Sequence, residues 1–210
     1  MTESATIERR DLALLPDDDA AAAALGIVHW PDPRLRKKCL PIADFDAETV
    51  RRLELLVTRM AAVMTEEKGV GLAAPQVGVC VRLFIMDAGE GLRAYVNPRL
   101  SDPDGSCEAD EGCLSLPDIR TPVLRSERLR IEATSPTGEP IDETAEGFAT
   151  RVWQHETDHL DGVLILDKMP ETVRMSHRKA LRELEAEYAE KHPKPEKSPR
   201  EARRPRRKKR

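Results

Sequence analysis

The stretch RVWQHETDHLDG, residues 151–162, decides how the rest of the chain is read. Val152, Trp153, Leu160 and the following Val163 are apolar, and their spacing predicts a largely buried helix. Residues four apart share one helical face, so His155 and His159 can converge on one ion beside that face. Glu156 lies next to them, close enough to act on water at the ion without ligating it. Two histidines do not complete a metal site, and H-E-x-x-H also occurs on solvated helices of unrelated proteins. A metzincin-type protease would place a third histidine where this chain has Ile165, which cannot ligate, although Gly162 falls at the matching offset. A gluzincin-type protease would use a downstream glutamate, and nothing marks Glu171, the nearest, as a ligand. The four cysteines, Cys39, Cys80, Cys107 and Cys113, remain as sources of a third donor.

Outward from this stretch the pattern is mixed. Apolar residues at 50, 53, 56, 57, 60, 63 and 64 predict an amphipathic helix over 46–67, with Asp44 or Asp46 as N-cap and a stop at Gly69. The Gly- and Pro-containing GVGLAAPQVG that follows reads as irregular backbone. VRLFIMD (81–87) reads as a strand, AYVN (94–97) as a shorter one ending before Pro98, and EADEGCLSLPD (108–118) as strand ending at Pro117. RLRIEAT (128–134) alternates as a half-buried strand, and SPTGEP is a turn into another. From Thr144, a candidate cap, the pattern turns helical through Leu160, and a last helix is expected over 171–190. The fold class expected is α+β: antiparallel sheets packed around a central helix carrying HETDH, with an N-terminal and a C-terminal helix.

Composition narrows the class. Hydrophobic residues make up 40% and aromatics only 3%, so the core is built from aliphatic side chains. No apolar stretch approaches a membrane span, so no membrane partner is expected. The first 24 residues lack a basic start with a long apolar run and contain an acidic DDD. That argues against secretory and transit signals and for a flexible extension, giving a cytoplasmic expectation. Cysteines without C-x-x-C spacing are read as thiols or ligands rather than a disulfide framework, with Cys39 and Cys80 taken as packed small hydrophobes. Residues 191–210 hold eleven Lys/Arg against two Glu, a charge of +9, whereas the remainder carries −13. This proline-containing segment is expected to be a disordered basic tail suited to a polyanion. The domain division is therefore 1–24 extension, 25–170 catalytic domain, 171–190 helix and 191–210 tail.

GVGLAAPQ (69–76), EGCLS (111–115) and QHETDHLDG (154–162) occur in that order and resemble the three motifs of the peptide deformylases. The resemblance covers residues 25–170 and matches every fixed motif position. It implies an enzyme that hydrolyses the formyl group from the N-terminal formyl-methionine of newly made polypeptides and releases formate. It implies Cys113, His155 and His159 as ligands of one divalent ion, with a fourth position for water. Ferrous iron is the ion implied in the cell; zinc, nickel or cobalt suits the same donors in an isolated sample.

Glu156 is then the group that takes a proton from water and returns it to the departing amine. The Gln76 side-chain amide and the Leu114 backbone N–H are the implied donors to the developing oxyanion. An extended peptide lying beside Val70, Gly71 and Gly112 would exploit close backbone approach, with a methionine slot walled by Phe148 and Val152. Those two side chains read equally well as core packing. Arg120 resembles in position the residue that holds substrate backbone, and Arg125 is a partner for Asp158, beside the ligand His159. Arg151 is placed either at the mouth of the pocket or simply exposed. The tail and the preceding helix suggest ribosomal RNA as a partner. A zinc endopeptidase that dispenses with Cys113, and a binding module whose working part is the tail, are the rival classes.

Overall fold

The computed structural model describes residues 14–193. The first thirteen residues of the expected extension, and the basic tail from residue 194 onward, lie outside the described residues. The helices are α1 (Asp19–Ala23), α2 (Ala47–Glu66), α3 (Phe148–Leu160), α4 (Ile165–Lys168), α5 (Glu171–Ser176) and α6 (Arg178–Lys191). The strands are β1 (Gly71–Ala73), β2 (Leu83–Met86), β3 (Arg93–Asp104), β4 (Cys107–Cys113), β5 (Leu116–Arg125), β6 (Arg128–Thr134) and β7 (Pro140–Glu146). The chain is thus mixed helix and antiparallel sheet, as its sequence pattern indicates. Five strands form one sheet in the order β1-β2-β3-β6-β7, and β4 pairs with β5 in a separate hairpin. No helix among the described residues is long and apolar enough to cross a membrane.

Helix α2 begins where the Asp46 carboxylate accepts the Thr49 N–H at 2.9 Å, satisfying a donor that the first turn leaves free. Its apolar face (Leu53, Leu56, Met60, Val63, Met64) is buried against Leu72, Leu83, Ile85 and Val96 of the sheet. The alternate strand residues Ala73, Phe84, Met86 and Tyr95 point the other way, into a second cluster with Val152, Trp153 and Leu160 of α3. Both faces of β2 are therefore covered, which is why all four of its residues are buried. Phe84 stacks on Tyr95 at 4.9 Å between centroids, and Trp153 meets Tyr95 edge-on at 6.1 Å. This packing fixes the height and rotation of α3 relative to the sheet.

Several element boundaries differ from expectation. β3 does not end before Pro98: Asn97 takes a left-handed conformation (φ 52°), a register shift falls between Val96 and Arg99, and pairing resumes beyond it. The proline's missing N–H sits in that irregularity, where no ladder bond is lost. β5 likewise runs through Pro117 to Arg125 instead of stopping there. Helix α3 starts at Phe148, not Thr144, because β7 continues to Glu146. Gly147, at φ 70° and ψ −127°, makes the strand-to-helix reversal in one residue, a conformation that a side chain would oppose. The single helix expected over 171–190 is two, α5 and α6, divided at His177. Within the segment expected as a flexible extension, Leu15 and Ala22 are buried, so ordered packing begins well before residue 25.

Candidate metal centre

Three elements bring the polar groups together. Cys113 ends β4 at a register shift where the partner strand β5 carries the extra residues, Pro117 to Ile119. His155 and His159 project from one face of α3, their rings 5.0 Å apart. The Cys113 Sγ lies 3.2 Å from His159 Nε2, and one ligand atom from each of the three residues falls within 4.8 Å of the others. Metal–ligand bonds of about 2.0–2.3 Å in a tetrahedron put neighbouring donors roughly 3.5 Å apart. A divalent ion therefore fits between these donors. Cysteine with two imidazoles also leaves a coordination position open, the arrangement of catalytic rather than structural sites.

Glu111 orients the first histidine. Its Oε2 lies 2.9 Å from His155 Nδ1, which turns the other ring nitrogen toward the cluster. The same buried carboxylate accepts two hydrogen bonds from Arg125, at 2.9 and 2.8 Å, and one from Arg151 at 2.7 Å. Burial alone would raise the Glu111 pKa, but the Arg125 and His155 bonds outweigh it and hold the carboxyl well below its usual range. Burial similarly works against a charged His155, and its bonds to Cys113 and Glu111 overcome that and raise its pKa. At His159, burial and the neighbouring His155 lower the pKa, keeping a neutral ring able to ligate.

Arg125 also reaches Asp158 at 2.5 Å, the pairing expected from sequence, and Lys168 meets the same carboxylate at 2.9 Å. Arg151 borders the cavity, as one of its two expected placements had it, but it is not simply exposed. Its guanidinium spans from α3 to the hairpin, donating to the Val123 and Cys107 carbonyls besides Glu111. Glu111 and this use of Arg151 are what sequence reasoning missed. The available signal was the strand period: Glu111 and Cys113 are two apart on β4 and so share a face.

Gln76 is buried at the end of a 3-10 turn, Ala74–Val77. Its Oε1 accepts the Ala73 N–H at 2.8 Å, so its amide NH2 is left to face Ser115 Oγ at 3.3 Å and Cys113 Sγ at 3.6 Å. Leu114 follows the cysteine in the β4–β5 turn and lines the same cavity. That cavity, about 740 Å³, is lined by Val70, Gly71, Gln76, Gly112, Cys113, Leu114, Arg120, Phe148, Val152, His155 and Glu156. His159, Asp158 and Arg125 do not line it. Phe148 is 55% exposed whereas Val152 is 5% exposed, so Phe148 stands at the rim and Val152 is half wall, half core. Arg120, opposite Gly112 in the hairpin, donates to the Asp110 carbonyl at 3.2 Å and stays exposed.

Glu156 is buried with Oε2 lacking a hydrogen-bond partner among the described residues. Burial raises its pKa to about 7. A Cβ placed on Gly71 would sit 2.5 Å from Glu156 Oε1 and 2.8 Å from Val152 Cγ1. The glycine there makes room for the carboxylate itself, a reason more specific than the close peptide approach expected from sequence.

The family model described as polypeptide deformylase matches residues 24–175. A peptide deformylase of Thermotoga petrophila is 44% identical over 154 residues, 73% of this chain and 92% of that protein. The crystal structure of the Thermotoga maritima peptide deformylase superposes with a TM-score of 0.66 at 43% identity, covering 70% of this chain and 97% of that one. Arabidopsis thaliana peptide deformylase 1B, solved in complex with an inhibitor, gives 0.74 at 39% identity over 85% of this chain and 100% of its own.

Proposed function

The chain belongs to the polypeptide deformylase family, a family of metal-dependent enzymes that remove the N-formyl group of nascent polypeptides, and we propose that Cys113, His155 and His159 hold its metal while Glu156 moves the proton. The observation that carries this assignment is the convergence of three donors beside a buried, unpartnered carboxylate. A divalent ion held there supplies a Lewis acid that lowers the pKa of water and polarises the formyl oxygen. Glu156, with a pKa near 7, is poised both to accept a proton from the attacking water and to return it to the leaving amine nitrogen. The carbonyl oxygen gains negative charge as the formyl carbon becomes tetrahedral. We assign its stabilisation to the Gln76 amide, held in place by the Ala73 N–H, and to the Leu114 backbone N–H.

Val70, Gly71 and Gly112 border the cavity where an extended peptide would lie, with Arg120 beside its backbone and Phe148 and Val152 next to the first side chain. Asp158 and Arg125 support α3 from behind. We assign catalysis to residues 25–170 in the cytoplasm, with ferrous iron as the working ion. The start of α6 exposes Arg178, Lys179 and Arg182, ahead of the acidic Glu183, Glu185, Glu187 and Glu190. We assign this face and residues 191–210 to ribosome binding through RNA phosphates. Such binding weakens steeply with salt, and equal salt-dependent cosedimentation of full-length and 1–190 protein with ribosomes would remove that part of the proposal.

The site assignment is tested by metal content and formate release in two variants. Cys113→Ser is expected to lose metal and activity together. Glu156→Ala is expected to keep the metal and lose activity. A Cys113→Ser protein with full metal and full turnover would overturn the ligand set and favour an endopeptidase-type site.

A further inference from the structure

Away from the cavity, two thiols that the reaction does not use lie side by side. Leu40 and Val81 form an isolated parallel bridge, with the Leu40 N–H donating to the Cys80 carbonyl at 3.3 Å and the Arg82 N–H to the Leu40 carbonyl at 2.9 Å. Cys39 and Cys80 each precede a bridge residue by one, so they occupy matching positions on the same side of the pair. Neighbouring extended segments lie about 4.8 Å apart, inside the roughly 4.4–6.8 Å between Cα atoms that a disulfide spans. Cys39 is buried in the core beneath α3, its N–H donating to the Leu160 carbonyl at 2.8 Å. Cys80 packs against that cluster but remains partly open to solvent, and both are free thiols.

We infer that Cys39 and Cys80 form an oxidisable dithiol pair, in which solvent-reachable Cys80 reacts first with a hydroperoxide and buried Cys39 resolves the product to a disulfide. The Cys39 thiol, followed by the charges of Lys37 and Arg34, holds the Cys80 thiol down at about 6, whereas contact with Cys80 and burial push Cys39 up. The two cysteines thus divide the roles of attacking thiolate and resolving thiol. In the first step the Cys80 thiolate attacks the hydroperoxide O–O bond, giving Cys80 sulfenic acid and hydroxide or an alkoxide, which water protonates. In the second, the Cys39 sulfur attacks the Cys80 sulfur, the S–O bond breaks, and the thiol proton leaves with the oxygen as water. Two electrons pass from the thiols to the peroxide. The bond would tie the segment before α2 to the loop before β2, directly under the C-terminal end of the helix that carries both histidines.

The test is substoichiometric hydrogen peroxide added to the metal-loaded full chain, followed by thiol alkylation in denaturant and non-reducing peptide mass spectrometry. A peptide pair joined through Cys39 and Cys80, lighter by two hydrogens and released by reductant, is expected before Cys107 is modified. In Cys39→Ser the reaction is expected to stop at a Cys80 sulfenic acid that dimedone traps, and in Cys80→Ser Cys39 stays alkylatable. The unoxidised Cys80→Ser protein keeps basal formate release. Recovery of Cys39 and Cys80 as free thiols while Cys107 or Cys113 is oxidised would overturn the inference, as would a Cys80 that proceeds to sulfinic acid with Cys39 unchanged.

Discussion

Replacing Glu111 by alanine removes a buried carboxylate that joins α3 to the hairpin bearing Cys113. Glu111 accepts four charge-assisted hydrogen bonds, from Arg125 twice, Arg151 once and His155 once, with its side chain only 5% exposed. Removing one partner of a buried ion pair costs about 3–5 kcal/mol, because the remaining charge is left desolvated. Arg125 keeps Asp158, and Arg151 keeps the Val123 and Cys107 carbonyls, so the loss should fall near the lower end, about 3 kcal/mol. His155 loses its Nδ1 partner as well, and such losses weaken metal binding by roughly 10–100-fold. Urea unfolding of the metal-free protein measures the first quantity, and competition with a chromophoric chelator the second. The folded-state pKa of Glu111 is depressed from 4.5, so its contribution is complete above that value. It is lost as pH falls through the folded-state value, so the two proteins should converge in acid. A Glu111→Ala protein within about 1 kcal/mol of the parent at neutral pH, with unchanged metal affinity, would refute this role.

Gly71→Ala places a methyl 2.5 Å from Glu156 Oε1. The carboxylate has to move, so turnover should fall on the order of 10²-fold while metal content holds; undiminished turnover would show that the contact is unimportant. Glu156 has a raised folded-state pKa, from 4.5 to about 7, so the folded protein binds the proton more tightly than the unfolded chain. Its effect on stability is nil below 4.5 and becomes unfavourable as pH rises toward 7, by about 3 kcal/mol. Metal-free parent protein should therefore lose stability relative to Glu156→Gln across that window, as measured by urea unfolding at a series of pH values.

What the sequence made legible was local. Asp46 as cap, the apolar face of α2, and the four-residue spacing of His155 and His159 depend only on neighbours along the chain. The apolar run of β2 and the alternation of β6 were readable for the same reason. The rest depends on distant partners. Pro98 reads as a strand stop until the irregularity that accommodates it against β6 is seen. Thr144 reads as a helix cap because a strand rich in exposed Glu and Asp, paired only with β6, has no apolar signature. The buried Glu111 network joins three charged residues from β4, β5 and α3, and each alone reads as an ordinary surface side chain.

Every proposed role converges on formyl hydrolysis at the Cys113–His155–His159 centre. The most direct measurement is formate release from a formyl-Met peptide by anaerobically purified protein, titrated with ferrous iron. The expected result is turnover that rises with iron to a plateau at one ion per chain and is abolished in Glu156→Ala at the same iron content. Formate release independent of metal, or undiminished in Glu156→Ala, would contradict it.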